Sequence, residues 1–236
     1  MADRERYILH CEQDSANLMI DLKLDKSEKP LNILAMGAHC DDIEIGCGGT
    51  LLSIIKHSSR VNITWVVFSS TSKRKAEAVT GAGLFCENAA ALDLRIMDFR
   101  DGFLPYCGEE VKNTFESLKE EVAPDLVFTH YRHDLHQDHR LVSELCWNTF
   151  RNHLILEYEI PKWDGDFGVP DTFVHLDEET GLDKIKYLQK AYNSQKSKAW
   201  FTDDLFWSVM RLRGMESNSP SRIAEAFYCR KSVLAL

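Results

Sequence analysis

No run of about 18 apolar residues occurs anywhere in the 236-residue chain, so no helix long enough to cross a membrane is expected. A basic excess is missing too. Asp and Glu number 37 against 28 Lys and Arg, and the formal charge of −9 argues against a general nucleic-acid binder. The seven cysteines (Cys11, Cys40, Cys47, Cys86, Cys107, Cys146, Cys229) include no Cys-x-x-Cys pair and form no even set. Reduced thiols in the cytoplasm are expected, not a disulfide framework. Met1 to Arg6 leads into no apolar stretch, so no signal peptide is expected. Internal repeats and low-complexity segments are lacking as well. What the chain does have is a core-forming composition, 44% hydrophobic with five Trp, seven Tyr and twelve Phe, which excludes disorder. It also has nine histidines, unevenly placed.

Residues 1–30 are mixed and charged and read as a leading arm. From Leu31 a regular alternation begins. Strands are expected at 31–38, 62–68, 94–97 and 125–129, with helices at 50–57, 73–92, 109–121 and 137–153. This pattern predicts an α/β fold, a Rossmann-like three-layer sandwich with a mostly parallel central sheet. Such sheets bind ligands beyond the C-terminal ends of their strands. After about residue 155 the pattern loosens into a Gly/Pro/Asp-rich loop (161–170), a helix (183–195) and a last strand (227–233). One domain over 31–236 with an embellished C-terminal third is the expected organisation.

Two clusters stand just past predicted strands. The first, His39-Cys40-Asp41-Asp42-Ile43-Glu44, is followed by Gly46, Gly48 and Gly49. A dinucleotide fingerprint fits badly, because Leu51 stands where a glycine is needed and the carboxylates would repel a phosphate. Imidazole with carboxylate is instead the ligand set of zinc and its divalent neighbours. A lone Asp-Asp pair is more often a solvated turn or helix cap. A second cluster outweighs that reading: His130, His133, Asp134, His136, Asp138 and His139 fall within ten residues. His136 and His139, three apart at a helix start, can face one centre. Asp138 is placed to orient or charge one of these imidazoles. His130 is expected to be a packed histidine and His133 a surface one.

The stretch His39-Cys-Asp-Asp-Ile-Glu-Ile-Gly-Cys-Gly-Gly49 resembles the His-Pro-Asp-Asp-x-x-x-Gly-x-Gly-Gly signature of the PIG-L/LmbE-like family of zinc-dependent N-deacetylases. Asp134-x-His136-x-Asp138-His139 resembles the second motif of that family. The resemblance runs from about residue 32 to 152 and more weakly beyond. It implies Zn²⁺, or Fe²⁺ or Co²⁺ in its place, held by His39, Asp42 and His139. It further implies Asp41 as general base, and His136, kept protonated by Asp138, as oxyanion stabiliser. Arg74 and Asp101 are implied substrate contacts, and Trp163 and Tyr158 could stack on a sugar ring. Two departures are Cys40 in place of Pro, expected to pack away from the metal, and Asp134 where some members have Tyr. The implied substrate is a small N-acetylglucosamine-type sugar, sugar conjugate or nucleotide-sugar, handled in the cytoplasm by a monomer or homo-oligomer. The alternatives are a metal-dependent phosphoesterase and a non-catalytic sugar-binding relative.

Overall fold

The computed structural model describes residues 29–58 and 60–233, so the expected arm over 1–30 lies almost wholly outside the described residues. Seven strands form one sheet in the order β3-β2-β1-β4-β5-β7-β6. Strand β1 (Leu31–Gly37) pairs in parallel with β2 (Val61–Ser69) and β4 (Leu126–His130). Outward from these, β3 (Ala91–Phe99) and β5 (Leu154–Tyr158) extend the parallel part. The last two, β7 (Ala224–Tyr228) and β6 (Thr172–His175), close one edge with antiparallel pairings.

Strand alternation divides the core in two. Leu31, Ile33 and Ala35 face a core shared with helices α1 (Asp42–His57), α2 (Ser72–Phe85), α5 (Glu178–Ala191) and α6 (Asp203–Glu216). Leu34 and Met36 point the other way, into Val111, Phe115 and Leu118 of α3 (Gly108–Glu121) and Val142, Cys146 and Trp147 of α4 (Gln137–Thr149). The expected three layers are therefore present. Strand order reverses between β1 and β4, the crevice where doubly wound sheets hold ligands. Both clusters leave the sheet there.

Local differences have local causes. Helix α1 starts at Asp42, earlier than expected, and carries its glycines inside. Each interior glycine costs about 1 kcal/mol of helix propensity relative to alanine, which makes the segment read as a loop. Packing overrides propensity, because a Cβ on Gly46 would sit 2.1 Å from the Tyr158 ring and one on Gly48 2.5 Å from Phe85. The glycines let α1 press onto the sheet and the neighbouring helix. Strand β3 outruns the expected 94–97 because it is an edge, where Asp93 and Arg95 can sit in solvent as an ion pair at 2.7 Å. The helix expected to reach 92 stops at Phe85 to make room for it. Strands β5 and β6 and helix α6 were not expected, and the last strand ends at Tyr228, short of 233.

Candidate active site

Three loops converge beyond the strand ends: 38–41 after β1, 131–136 after β4 and 100–103 after β3. The buried His130 ring fastens the first two together. Its Nε2 accepts the Ala38 amide at 2.9 Å, and the ring stacks on His139 with centroids 3.9 Å apart. With that lone pair used, His130 is the packed histidine expected, and His133 is exposed.

His39 Nδ1 lies 3.1 Å from His139 Nε2 and 3.3 Å from Asp42 Oδ2, and His139 Nε2 lies 3.6 Å from the same oxygen. A tetrahedral zinc ion with bonds of about 2.0–2.1 Å spaces its ligand atoms about 3.3–3.4 Å apart, so this triangle fits one face of such a site. The outer nitrogen of each imidazole meets a carboxylate. His139 Nδ1 is 2.9 Å from Asp134 Oδ2, and His39 Nε2 is 3.2 Å from Asp138 Oδ2 and 3.1 Å from Asp101 Oδ1. With only the outer nitrogens protonated, the inner lone pairs would face the centre of the triangle, the arrangement that orients metal-ligating histidines.

Charge follows this geometry. Burial pushes the Asp42 carboxyl up, but the His139, His130 and His39 rings outweigh it and hold the group well below its usual range. Burial lowers His39, yet Asp42, Asp101 and Asp138 reverse the effect and raise it well above the usual imidazole value. Burial and neighbouring His130 bring His139 down to about 4.

One expected pairing is not formed. The Asp138 carboxylate does not keep His136 protonated. Its oxygens instead accept from His39, from the Gly102 amide at 2.7 Å and from the Leu104 amide at 3.1 Å. His136 caps helix α4, its Nδ1 accepting the Asp138 amide at 3.2 Å. A ring nitrogen that accepts carries no proton, so the proton of neutral His136 is on Nε2. Burial and nearby His39 lower the His136 pKa in keeping with this. Nε2–H can still donate to a developing oxyanion from the neutral ring.

Asp41 sits beside the triangle. Oδ1 accepts from Arg74 Nη2 at 2.7 Å, while Oδ2 is buried without a hydrogen-bond partner. Burial raises the Asp41 pKa and Arg74 opposes the rise. These groups line a cleft of ≈ 280 Å³ that also includes Asp101, Lys162, Trp163 and Trp200. Trp163 is 81% exposed at its mouth, whereas Tyr158 is fully buried with its hydroxyl on the Met36 carbonyl at 2.7 Å. Stacking of Tyr158 on a ligand is thereby excluded. Cys40 packs as expected, its thiol on the Ser69 carbonyl at 3.4 Å and its pKa pushed up by burial to about 12.

Residues 34–150 match the model of the PIG-L family, described as GlcNAc-PI de-N-acetylase. Over these residues, just under half of the chain, it is similar to that family. A relative in Escherichia coli (strain K12), the uncharacterized deacetylase YaiS, is 27% identical over 183 residues, covering 71% of this chain and 94% of that protein. Among solved structures, the N,N′-diacetylchitobiose deacetylase of Pyrococcus horikoshii superposes with a TM-score of 0.64 at 19% identity, over 84% of this chain and 83% of that one. GalB of Pseudomonas putida KT2440, a 4-carboxy-2-hydroxymuconate hydratase, superposes at 0.69 with 15% identity, over 87% of this chain and 98% of that one. At these identities the structural likeness carries the fold alone, and one fold serves more than one reaction.

The structure also gives roles that pattern reading did not assign. Asp134 is the carboxylate behind His139, and it also accepts the His136 amide at 2.8 Å and Lys162 Nζ at 2.8 Å. Its signal was its place in the second cluster, five residues before His139. Lys162, Glu77 and Tyr192 come from distant segments and carried no local signal. Among the described residues, no helix is long and apolar enough to cross a membrane.

Proposed function

We propose that this chain is a zinc-dependent deacetylase that hydrolyses the acetamide of an N-acetylglucosamine-type sugar, sugar conjugate or nucleotide-sugar in the cytoplasm. The observation that carries the reading is the triangle of His39 Nδ1, Asp42 Oδ2 and His139 Nε2, with Asp41 and His136 beside it. His39, Asp42 and His139 would hold the ion, a three-residue set of the kind found in catalytic sites. Zinc held there would supply Lewis acidity, lowering the pKa of water and polarising a carbonyl.

The chain's own groups do the rest. Asp41, held through Oδ1 by Arg74, takes the proton of the attacking water on its free Oδ2. The water oxygen adds to the acetamide carbon, and His136 Nε2–H donates to the oxygen that becomes negative. The carbon–nitrogen bond then breaks, acetate departs and the proton from Asp41 passes to the amine. Arg74 and Asp101 stand on the cleft wall where sugar hydroxyls would lie, and Trp163 at the mouth can cover a ring face. The cleft volume is near the lower end of small-molecule pockets, about 300–1,000 Å³, which suits a small amino-sugar. A phosphoester fits poorly, because Asp41, Asp42 and Asp101 would face its charge.

The test separates base from ligand. Asp41→Asn is expected to keep stoichiometric zinc and lose about 10²–10⁴-fold in kcat, the usual scale of general-base catalysis. His39→Ala should lose both zinc and turnover. Full activity in purified Asp41→Asn would overturn the base assignment.

A further inference from the structure

Glu77, in the second turn of α2, has no part in the chemistry above, yet it is only 9% exposed and its carboxylate is fully engaged. Oε2 accepts Arg74 Nη1 at 3.0 Å and the Ser194 hydroxyl at 2.6 Å, and Oε1 accepts the Ser194 amide at 2.7 Å. Arg74 in turn reaches Asp41 through its other terminal nitrogen, and its guanidinium carbon lies 5.2 Å from the centre of the Tyr192 ring. The Tyr192 hydroxyl donates to the carbonyl of Cys40, the residue before Asp41. The segment 192–194 thus grips Asp41 twice: through its backbone by Tyr192, and through its side chain by Ser194, Glu77 and Arg74. The same segment runs on into Gln195, Lys198 and Trp200, which form the outer wall of the cleft.

An i,i+3 ion pair on an exposed helix face adds little beyond helix stability. Here the pair is set between two partners, with Asp41 on one side and Ser194 on the other. A guanidinium is a planar fork, so fixing one arm fixes the direction of the other. Held at Oδ1 in this way, Asp41 keeps Oδ2 free.

We propose that Glu77 is a positioning residue for the reaction: it aims Arg74 at Asp41 Oδ1 and ties that contact to the outer wall of the cleft. The inference rests on Asp41 acting as base. Glu77→Gln tests it, because the amide has one oxygen: turned to the Ser194 amide it presents NH₂ to Arg74, turned to Arg74 it presents NH₂ to the Ser194 amide, and either way the link between Arg74 and the wall is broken.

In the zinc-loaded enzyme, with N,N′-diacetylchitobiose as probe, kcat for acetate release should fall about tenfold with zinc content unchanged; contacting networks couple on this scale. In an Arg74→Ala background the same substitution should cost nothing further. NMR supplies a readout independent of turnover. Arg74 Nη signals, separate in the wild type because rotation is restrained, should merge in Glu77→Gln. An equal loss in both backgrounds, or unchanged Arg74 signals, would overturn the proposal. The two readings fail separately: wild-type protein that releases no acetate from N,N′-diacetylchitobiose, N-acetylglucosamine or UDP-N-acetylglucosamine contradicts the deacetylase reading, and the NMR arm then decides the role of Glu77 alone.

Discussion

Asp134→Asn probes the proposed metal site without touching a proposed donor atom. In the wild type, Oδ2 accepts from His139 Nδ1 at 2.9 Å and Lys162 Nζ at 2.8 Å, and Oδ1 accepts the His136 amide at 2.8 Å. Asparagine has the same shape but only one oxygen. Whichever way the amide turns, its NH₂ meets a donor: His139 and Lys162 in one orientation, the His136 amide in the other. Both outcomes loosen His139. Loss of a carboxylate behind a metal-bound histidine typically costs 10–100-fold in affinity, about 1.4–2.7 kcal/mol. Burial of Asp134 and His139 argues for the upper part of that range. Asp138→Asn should cost less zinc affinity, because His39 Nε2 retains Asp101 at 3.1 Å. Competition with a chromophoric chelator measures both. Zinc binding within twofold of wild type in Asp134→Asn, or a larger loss in Asp138→Asn, would refute the assignment of orienting carboxylates.

Two further outcomes follow from the same structure. In the metal-free protein His39 is raised well above the usual imidazole value, while His139 at about 4 is already neutral and Asp42 already ionised. Zinc must therefore displace the His39 proton, so apparent affinity rises about tenfold per pH unit until the pH passes the raised pKa of His39. Calorimetry at pH 6 in buffers of different ionisation enthalpy should count one proton released per zinc, and none released would contradict the His39 charge state. Gly46→Ala places a Cβ 2.1 Å from the ring of Tyr158, which is pinned by its hydroxyl to the Met36 carbonyl. Overpacking of this kind costs about 1–3 kcal/mol, and for a chain of this size about 2–4 °C of Tm per kcal/mol. An unchanged melting temperature would show that α1 is not pressed onto β5 as described.

Strands β1 to β4 were legible because they carry apolar runs broken by helical periods, and those signals are local. Strand β5 and the antiparallel edge were not. Strand β6 is four half-buried residues, and β7 holds the ion-paired Glu225, whose buried carboxylate accepts the Gly49 and Thr50 amides and Lys184. Only tertiary contact explains a carboxylate there. Residue type and spacing marked the two clusters that hold His39, Asp42 and His139, and the family resemblance singled these three out as the proposed donors. What each neighbouring carboxylate does was not legible. Asp138 is adjacent to His139 in sequence, yet its side chain crosses to His39, while Asp134 turns back through the loop to reach His139. Helix start and loop path decide that exchange, and neither is written in the spacing. Arg74 was read as a substrate contact because the family resemblance implies one. In the fold it is bound to Asp41 and Glu77.

The central claim is metal-dependent deacetylation at this site, and metal-free protein tests it most directly. Protein stripped with chelator and then reconstituted with one equivalent of zinc is incubated with N-acetylglucosamine, N,N′-diacetylchitobiose and UDP-N-acetylglucosamine, and acetate and free amine are followed by ¹H NMR. Equal amounts of the two products from at least one substrate are predicted with zinc, and neither product without it. Acetate release that survives chelation, or acetate from none of the three with zinc bound, would contradict the account.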